Sequence, residues 1–312
     1  MKALRIPFAG ATLNRREVER RDASFVQQLI TSDMARLLVV SDLALHRLKS
    51  DGDTSVDVPL RVALHTCRDI ADIYFLGTET NSVPYFATHR SNVSAIPDEE
   101  FSDIDLRQQY ATLADATLAR LAIGRSLVTW HNTARFCGSC GQSARVVEFG
   151  AARKCTSCGT SNYPRVNPVA LTLVLDGCGS CLLAQHVQRP KFFTCVAGFI
   201  SQGETLEEAA RREVEEETGL KVGNVSYVFS QPWPFPGQLM LGCFATVVDR
   251  NAPVKVDTHE LLAAKWFTRD EVIGALARSR DSPLRVPDSI ALANRLLSHW
   301  IDAITDGKQP KL

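Results

Sequence analysis

The chain has 312 residues, of which 45% are apolar and 22% charged, an ordinary composition that excludes a wholly disordered chain, a collagen-like repeat and a disulfide-dense miniprotein. Thirty-five basic residues balance thirty-five acidic ones, so the formal net charge is zero and tight general binding of nucleic acid through phosphates is not expected. No stretch approaches the roughly 18 apolar residues of a membrane span, and the amino terminus lacks the long apolar core of a secretory signal.

Residues 1–130 mix short apolar runs (ARLLVV, LRVAL, IYFLG) with polar turns such as Asp51-Gly52-Asp53, which predicts an amino-terminal α+β domain without a chemical motif. Toward its end, Leu106, Tyr110, Leu113, Leu118 and Leu121 recur at helical spacing and predict connecting helices. Trp130 and His131 stand at the junction with the next module, and His131 reads as a hydrogen-bonded packing residue rather than a ligand.

Residues 131–163 hold Cys137, Cys140, Cys155 and Cys158, two C-x-x-C pairs with fourteen residues between them. That spacing is close to the four-thiolate zinc pattern, and Gly138, Gly141 and Gly159 suit tight knuckles that aim two sulfurs each at one tetrahedral Zn²⁺. Four sulfurs close the coordination shell, so the expected site is a structural zinc ribbon; the alternative is two unrelated redox pairs. The other five of the nine cysteines (Cys67, Cys178, Cys181, Cys195, Cys243) read as unpaired thiols of a reducing compartment. Cys178-Gly179-Ser180-Cys181 repeats the letters of a knuckle, but Asp176, Gly177 and Gly179 mark it as a hairpin turn.

From residue 164 to 312 the pattern runs strand, hairpin, strand, helix, further strands and a closing helix. The informative segment is GFISQGETLEEAARREVEEETGL, Gly198 to Leu220. Thr205 with Glu208 three residues on is a capping box that predicts a helix from Leu206, and Gly219 is its stop signal after Thr218. Leu206, Ala209, Ala210 and Val214 form one apolar stripe; Glu213 and Glu217 project into it, with Glu216 at its edge. Carboxylates on an inward face cost several kcal/mol each when dry and unpaired, so a cation is expected to meet them, and hard carboxylate oxygens suit Mg²⁺ or Mn²⁺. The alternative is a helix lying loosely on the surface with its acids in water.

The same segment resembles the Nudix box, G-x5-E-x7-R-E-U-x-E-E-x-G-U, and meets every fixed position: Gly198, Glu204, Arg212, Glu213, Val214, Glu216, Glu217, Gly219 and Leu220. The resemblance implies a Nudix fold, an α/β/α sandwich, preceded here by the zinc ribbon and the α+β domain. It implies hydrolysis of a nucleoside diphosphate linked to a second moiety. By that analogy Glu213, Glu216 and Glu217 hold the catalytic cation with the backbone carbonyl of Ala197, while Arg212 and Glu204 orient helix and loop. Glu217 is the candidate proton acceptor, although activation of water by the cation itself leaves the base unassigned.

Downstream, Ser230–Met240 reads SQPWPFPGQLM. Three prolines alternating with Trp233 and Phe235 make a stiff wall able to meet a planar ring, or else a packed proline-rich turn. The segment resembles the SQPWPFPxS array of NADH pyrophosphatases, with Gln238 in place of serine. Gln231, Pro232, Trp233, Pro234, Phe235, Pro236, Gly237 and Gln238 are therefore implied to bind substrate. Tyr163 and Phe199 match residues that sandwich the nicotinamide, Glu260 a further glutamate of the metal site, and Ala291 a carboxy-terminal substrate contact, with Asp288 in place of a more usual glycine. The resemblance further implies a homodimer that cleaves NAD(H) to NMN(H) and AMP, and that removes NAD caps from RNA 5′ ends. Competing readings are another Nudix substrate such as ADP-ribose, and a zinc-ribbon binding module with an inactive Nudix domain. A cytoplasmic location is expected; the closing Pro310-Lys311-Leu312 resembles the S-K-L peroxisomal address, which has meaning only in a eukaryotic host.

Overall fold

The computed structural model describes residues 5–41, 44–49, 56–65, 67–93, 96–279 and 282–305. The Asp51-Gly52-Asp53 turn and the Pro310-Lys311-Leu312 tail lie outside the described residues. The chain divides into two compact units, one made of Phe8–Val166 with Trp233–Gly237, the other of Met1–Pro7, Asn167–Pro232 and Gln238–Leu312.

The first unit carries β1 (Arg36–Val40), β2 (Leu45–Leu48), β3 (Val58–Pro59), β4 (Tyr74–Thr78), β5 (Pro84–His89) and β6 (Phe101–Ile104) in one sheet. Its order is β4-β5-β1-β2-β6, with β3 also paired to β1. Strands β1 and β5 run parallel, Leu37 opposite Phe86. Helices α1 (Ala23–Ile30) and α2 (Leu60–Leu64) contribute Val26, Ile30, Leu60 and Ala63 to a core with Leu37, Val39, Phe75 and Phe86. The short α3 (Leu106–Gln109) precedes α4 (Asp115–Thr133). Gly124 lets α4 approach the sheet closely, since a Cβ there would lie 2.8 Å from Leu38 Cδ1.

His131, in the last turn of α4, is fully buried and stacked on Tyr74 with ring centroids 3.8 Å apart. Arg153 Nε donates to its Nδ1 at 3.1 Å, so the proton of the neutral ring sits on Nε2, which donates to Gly150 O at 3.0 Å. Burial foremost, with Arg153 and Arg20 nearby, holds its pKa down at about 3. The packing role expected of His131 is thus the observed one. Arg20 adds to the same junction by donating to the carbonyls of Phe75, Glu148 and Phe149. Strands β7 (Ala144–Val147), β8 (Ala152–Cys155) and β9 (Ser161–Asn162) then form a small three-stranded sheet in chain order.

The second unit is built on β10 (Asn167–Leu175), β11 (Ser180–His186), β12 (Val196–Phe199), β13 (Val222–Trp233), β14 (Gln238–Val247) and β15 (Leu261–Thr268), with α5 (Leu206–Thr218), α6 (Arg269–Leu276) and α7 (Leu292–Thr305). The sheet order is β13-β14-β10-β11-β15, and β12 pairs with the first half of β10. Central β10 runs parallel to β14 and is buried on both faces from Val169 to Leu175, which explains why that stretch is apolar at every position but the buried Thr172 instead of alternating. Leu171, Leu173 and Leu175 face α6 and α7 in a core with Leu296, Leu297 and Trp300. Val174 packs with Val214 and Leu220 of the α5 side, and Ala170 with Ala209 and Ala210. The result is the α/β/α sandwich expected of a Nudix fold. The Cys178–Cys181 segment runs from the β10–β11 turn into β11, and Asp176 Oδ1 accepts from the amides of Cys178 and Ser180.

Candidate active site

Helix α5 has the bounds and caps expected of it: Thr205 Oγ1 accepts from Glu208 N, Glu208 Oε2 accepts from Thr205 N, and Gly219 ends it at φ 71°. Ala209, Ala210 and Val214 are wholly buried, which fixes the rotation of the helix and forces Glu213 and Glu217 inward. Gly198, on β12, has its Cα directly against the Glu213 carboxylate, and a Cβ there would overlap that group. The glycine that opens the box is therefore a packing requirement of its first glutamate.

Arg212 organises the loop. Its Nε and Nη2 donate to the two oxygens of Glu204 at 2.6 and 2.8 Å, a bidentate pair, and Nη2 also donates to Phe199 O at 3.0 Å. Its Nη1 donates to Glu213 Oε1 at 2.7 Å and to Glu216 Oε2 at 2.9 Å. The guanidinium beside it, with the Ser201 amide, holds the Glu204 carboxyl down at about 2.

Glu217 has no such support. It is 2% exposed, and among the described residues neither of its carboxylate oxygens has a hydrogen-bond partner. Burial first, then the negative charges of Glu213, Glu260, Asp257 and Glu216, pushes its pKa up to about 8. Burial likewise raises that of Glu213, against the pull of Arg212. Asp257 N donates to Glu217 O at 3.0 Å, and Glu260 N to Asp257 O at 3.2 Å, so the turn after β14 is tied to the end of α5. That turn brings the negative charge of Glu260 to bear on Glu217. Asp257 was not singled out from the sequence; the signal was its turn chemistry, since its Oδ1 accepts from His259 N and bends the chain toward Glu260.

A buried carboxylate with both oxygens orphaned inside an acidic cluster fits a divalent cation, which would supply the missing countercharge. The donors are hard oxygens, as Mg²⁺ or Mn²⁺ requires. Ala197 stands half-buried on β12, next to Gly198.

Among the described residues, the side chains whose ligand atoms converge within 4.8 Å are the four cysteines Cys137, Cys140, Cys155 and Cys158. Their sulfurs lie 3.7 Å (Cys137–Cys158), 3.5 Å (Cys140–Cys155) and 3.5 Å (Cys140–Cys158) apart. A tetrahedral zinc site with Zn–S bonds of about 2.3 Å has edges of about 3.8 Å, so the thiols fit the ion. Gly141 and Gly159 both take φ +74° just after the second cysteine of their knuckle, whereas Gly138 needs no left-handed backbone.

The residues expected to meet substrate are distributed over both units. In the second, Phe199 is 54% exposed, Gln238 half-buried, and Gln231 buried with its Nε2 donating to Ile290 O at 2.8 Å. Pro232 is exposed, and the half-buried Ala291 accepts from Asn294 N through its carbonyl at 3.1 Å. In the first, Tyr163 is 58% exposed, Pro234 is buried and Pro236 exposed. There Trp233 and Phe235 pack edge-on against each other and against Phe8, with centroids 5.2 to 6.0 Å apart.

Residues 165–286 match the NUDIX domain family. The chain is 36% identical over 255 residues to the mouse protein named NAD(P)H pyrophosphatase NUDT13, mitochondrial, covering 75% of this chain and 72% of that one. It is 35% identical over 212 residues to NAD-capped RNA hydrolase NudC of Mycobacterium bovis, covering 66% and 67%. Human NAD-capped RNA hydrolase NUDT12 is 44% identical over 191 residues, 58% of this chain, and the match spans 41% of the human protein's length. Fold, site and relatives define a Nudix hydrolase. Within that superfamily the chain belongs to the NADH pyrophosphatase (NAD-capped RNA hydrolase) family.

Proposed function

We propose that the protein hydrolyses the diphosphate of NAD(H) to NMN(H) and AMP, and removes NAD caps from RNA 5′ ends. The observation that carries this reading is Glu217, buried on the Nudix helix with both oxygens unpartnered amid Glu213, Glu216, Glu260 and Asp257. The names of the relatives, pyrophosphatase and capped-RNA hydrolase, point the substrate class the same way.

In the proposed mechanism Glu213, Glu216, Glu217, Glu260 and the Ala197 carbonyl would hold Mg²⁺ or Mn²⁺, which when bound would offset the negative charge of the diphosphate and lower the pKa of water. Arg212 keeps Glu213 and Glu216 in place while fastening the loop through Glu204 and Phe199 O. The Glu217 carboxylate accepts the proton lost by the attacking water. Trp233, Phe235 and their prolines, with Phe199 and Tyr163, supply apolar ring surface for the nicotinamide half.

Zn²⁺ on the four cysteines is structural in this reading, because a full shell of thiolates leaves no position for substrate. We further propose a homodimer, on the resemblance, and a cytoplasmic location, which the five cysteines outside the four-cysteine cluster, all free thiols, favour. No helix among the described residues is long and apolar enough to cross a membrane.

The test is incubation with NADH and Mn²⁺ beside Glu217→Gln, with products resolved by chromatography. NMNH and AMP from the wild type alone are expected; cleavage of ADP-ribose with NADH untouched would overturn the substrate assignment.

A further inference from the structure

The Trp233–Gly237 segment leaves the Nudix sheet between β13 and β14, yet it is part of the first unit. What holds it there is specific. The guanidinium carbon of Arg107, on α3, lies 4.3 Å from the centroid of the Phe235 ring and 5.8 Å from that of Trp233. That of Arg125, on α4, lies 5.0 Å from the Phe235 centroid. Phe8 meets both rings edge-on, and Gly237 faces Ser126 Cβ, one residue along α4. Arg125 is 8% exposed, so its attraction to the ring acts where water screens it little.

Two cations over one ring are more than packing requires. A buried guanidinium is costly unless it is compensated, and the Phe235 face and Thr129 Oγ1, 3.5 Å from Arg125 Nη1, are among the groups that meet that of Arg125. The ring engaged by both guanidinium groups is thereby fixed in position as well as covered. Both rings are half-buried, but Phe235 is the one met by both guanidinium groups, whereas of the two arginines only Arg107 reaches Trp233.

We propose that Arg107 and Arg125 are positioning residues for substrate selectivity: by gripping Phe235 they hold Trp233 and the flanking prolines in the conformation that recognises the group beyond the cleaved diphosphate. This inference rests on the proposed role of the proline–aromatic segment.

The experiment compares kcat/KM for NADH with kcat/KM for ADP-ribose, which has the same diphosphate but no nicotinamide, in each variant of the full chain. Misfolded protein lowers both values equally, so their ratio reports selectivity alone. Trp233→Ala tests the underlying reading, and a drop in the ratio of about tenfold or more is expected from the loss of one aromatic face. Arg107→Ala is expected to lower the ratio about threefold and Arg125→Leu about tenfold, through KM with kcat nearly unchanged, as exposed and buried cation–π contacts imply. Arg125→Lys should recover most of the loss. If Trp233→Ala moves the ratio and neither arginine variant does, the positioning role is overturned. If Trp233→Ala leaves the ratio unmoved, the reading of the segment fails and the proposal with it.

Discussion

Glu217→Gln separates the chemistry of the site from the stability of the fold, and the two effects have opposite signs. In metal-free protein the Glu217 carboxyl has a pKa raised from an ordinary 4.5 to about 8, chiefly by burial. A carboxyl whose folded pKa is raised costs stability above its unfolded pKa, because the unfolded chain releases a proton that the folded chain retains. The cost grows from about pH 4.5 upward at about 1.4 kcal/mol per pH unit and levels off near pH 8, reaching a few kcal/mol. Glutamine removes that pH-dependent cost but buries an amide in a place with no partner for it, which takes back about 1–3 kcal/mol. With the cysteine cluster kept zinc-loaded and no Mg²⁺ or Mn²⁺ present, Glu217→Gln should therefore melt at the same temperature as the wild type or below it at pH 5.5, and above it at pH 8. Added Mg²⁺ or Mn²⁺ should raise the wild-type melting temperature strongly at pH 8 and that of the variant little, since a ligand that binds only the folded state stabilises it by mass action. Turnover should fall at least about a hundredfold, the smallest loss usual for a general base. Differential scanning fluorimetry across pH, with and without metal, reads the first effects; chromatography of NADH products reads the last. Equal stabilisation of both proteins by metal would refute the assignment of Glu217 as the buried ligand.

Gly198→Ala should abolish activity as fully as loss of Glu213 does, because the new methyl displaces the Glu213 carboxylate; wild-type kcat in this variant would show that Glu213 is free to move. Cys155→Ser should release zinc and lower the melting temperature, read by metal analysis and thermal melts; one zinc per chain retained in the variant would show that the ion lies elsewhere. His131 is neutral in the fold with a pKa held near 3, so it contributes stability above the usual 6.5 that is lost as pH falls toward 3. With zinc saturating, His131→Gln should flatten the drop in melting temperature between pH 6.5 and 5, where each pH unit costs the wild type about 1.4 kcal/mol; an unchanged slope would refute the neutral, doubly bonded ring.

How much of this was legible in the sequence depends on the range of the interaction that carries it. Helix α5 was readable to the residue because its determinants are local: Thr205 and Glu208 satisfy each other within one turn, Gly219 supplies the positive φ, and the apolar stripe sets the rotation. The two C-x-x-C knuckles are similarly local, and so is the β10–β11 turn that borrows their letters, where Asp176 caps the loop instead of a second cysteine pair completing it. Apolar runs such as ARLLVV and IYFLG indicate an α+β first unit but not that β1 and β5 lie side by side in parallel, because such pairing requires a long crossover and leaves no periodic trace.

The same limit explains the site. The sequence places Glu213, Glu216 and Glu217 on one helix, but not that Gly198 is empty so that Glu213 can lie across it, a contact between residues fifteen positions apart on different elements. Arg212 was read as an orienting residue from the box alone; that it reaches Phe199 O, and so couples the helix to the residue expected to meet the nicotinamide, needed the folded chain. Phe235 makes the point most sharply. Its motif marks it as an aromatic wall, while its neighbours Arg107, Arg125 and Phe8 come from three places more than a hundred residues upstream, each unremarked in its own context. Local grammar tells which side chains carry the chemistry, and long-range contacts decide which of them are free to meet substrate and which are held. That division is why the selectivity ratio, and not activity alone, is the measurement that reads what the fold adds to the motif.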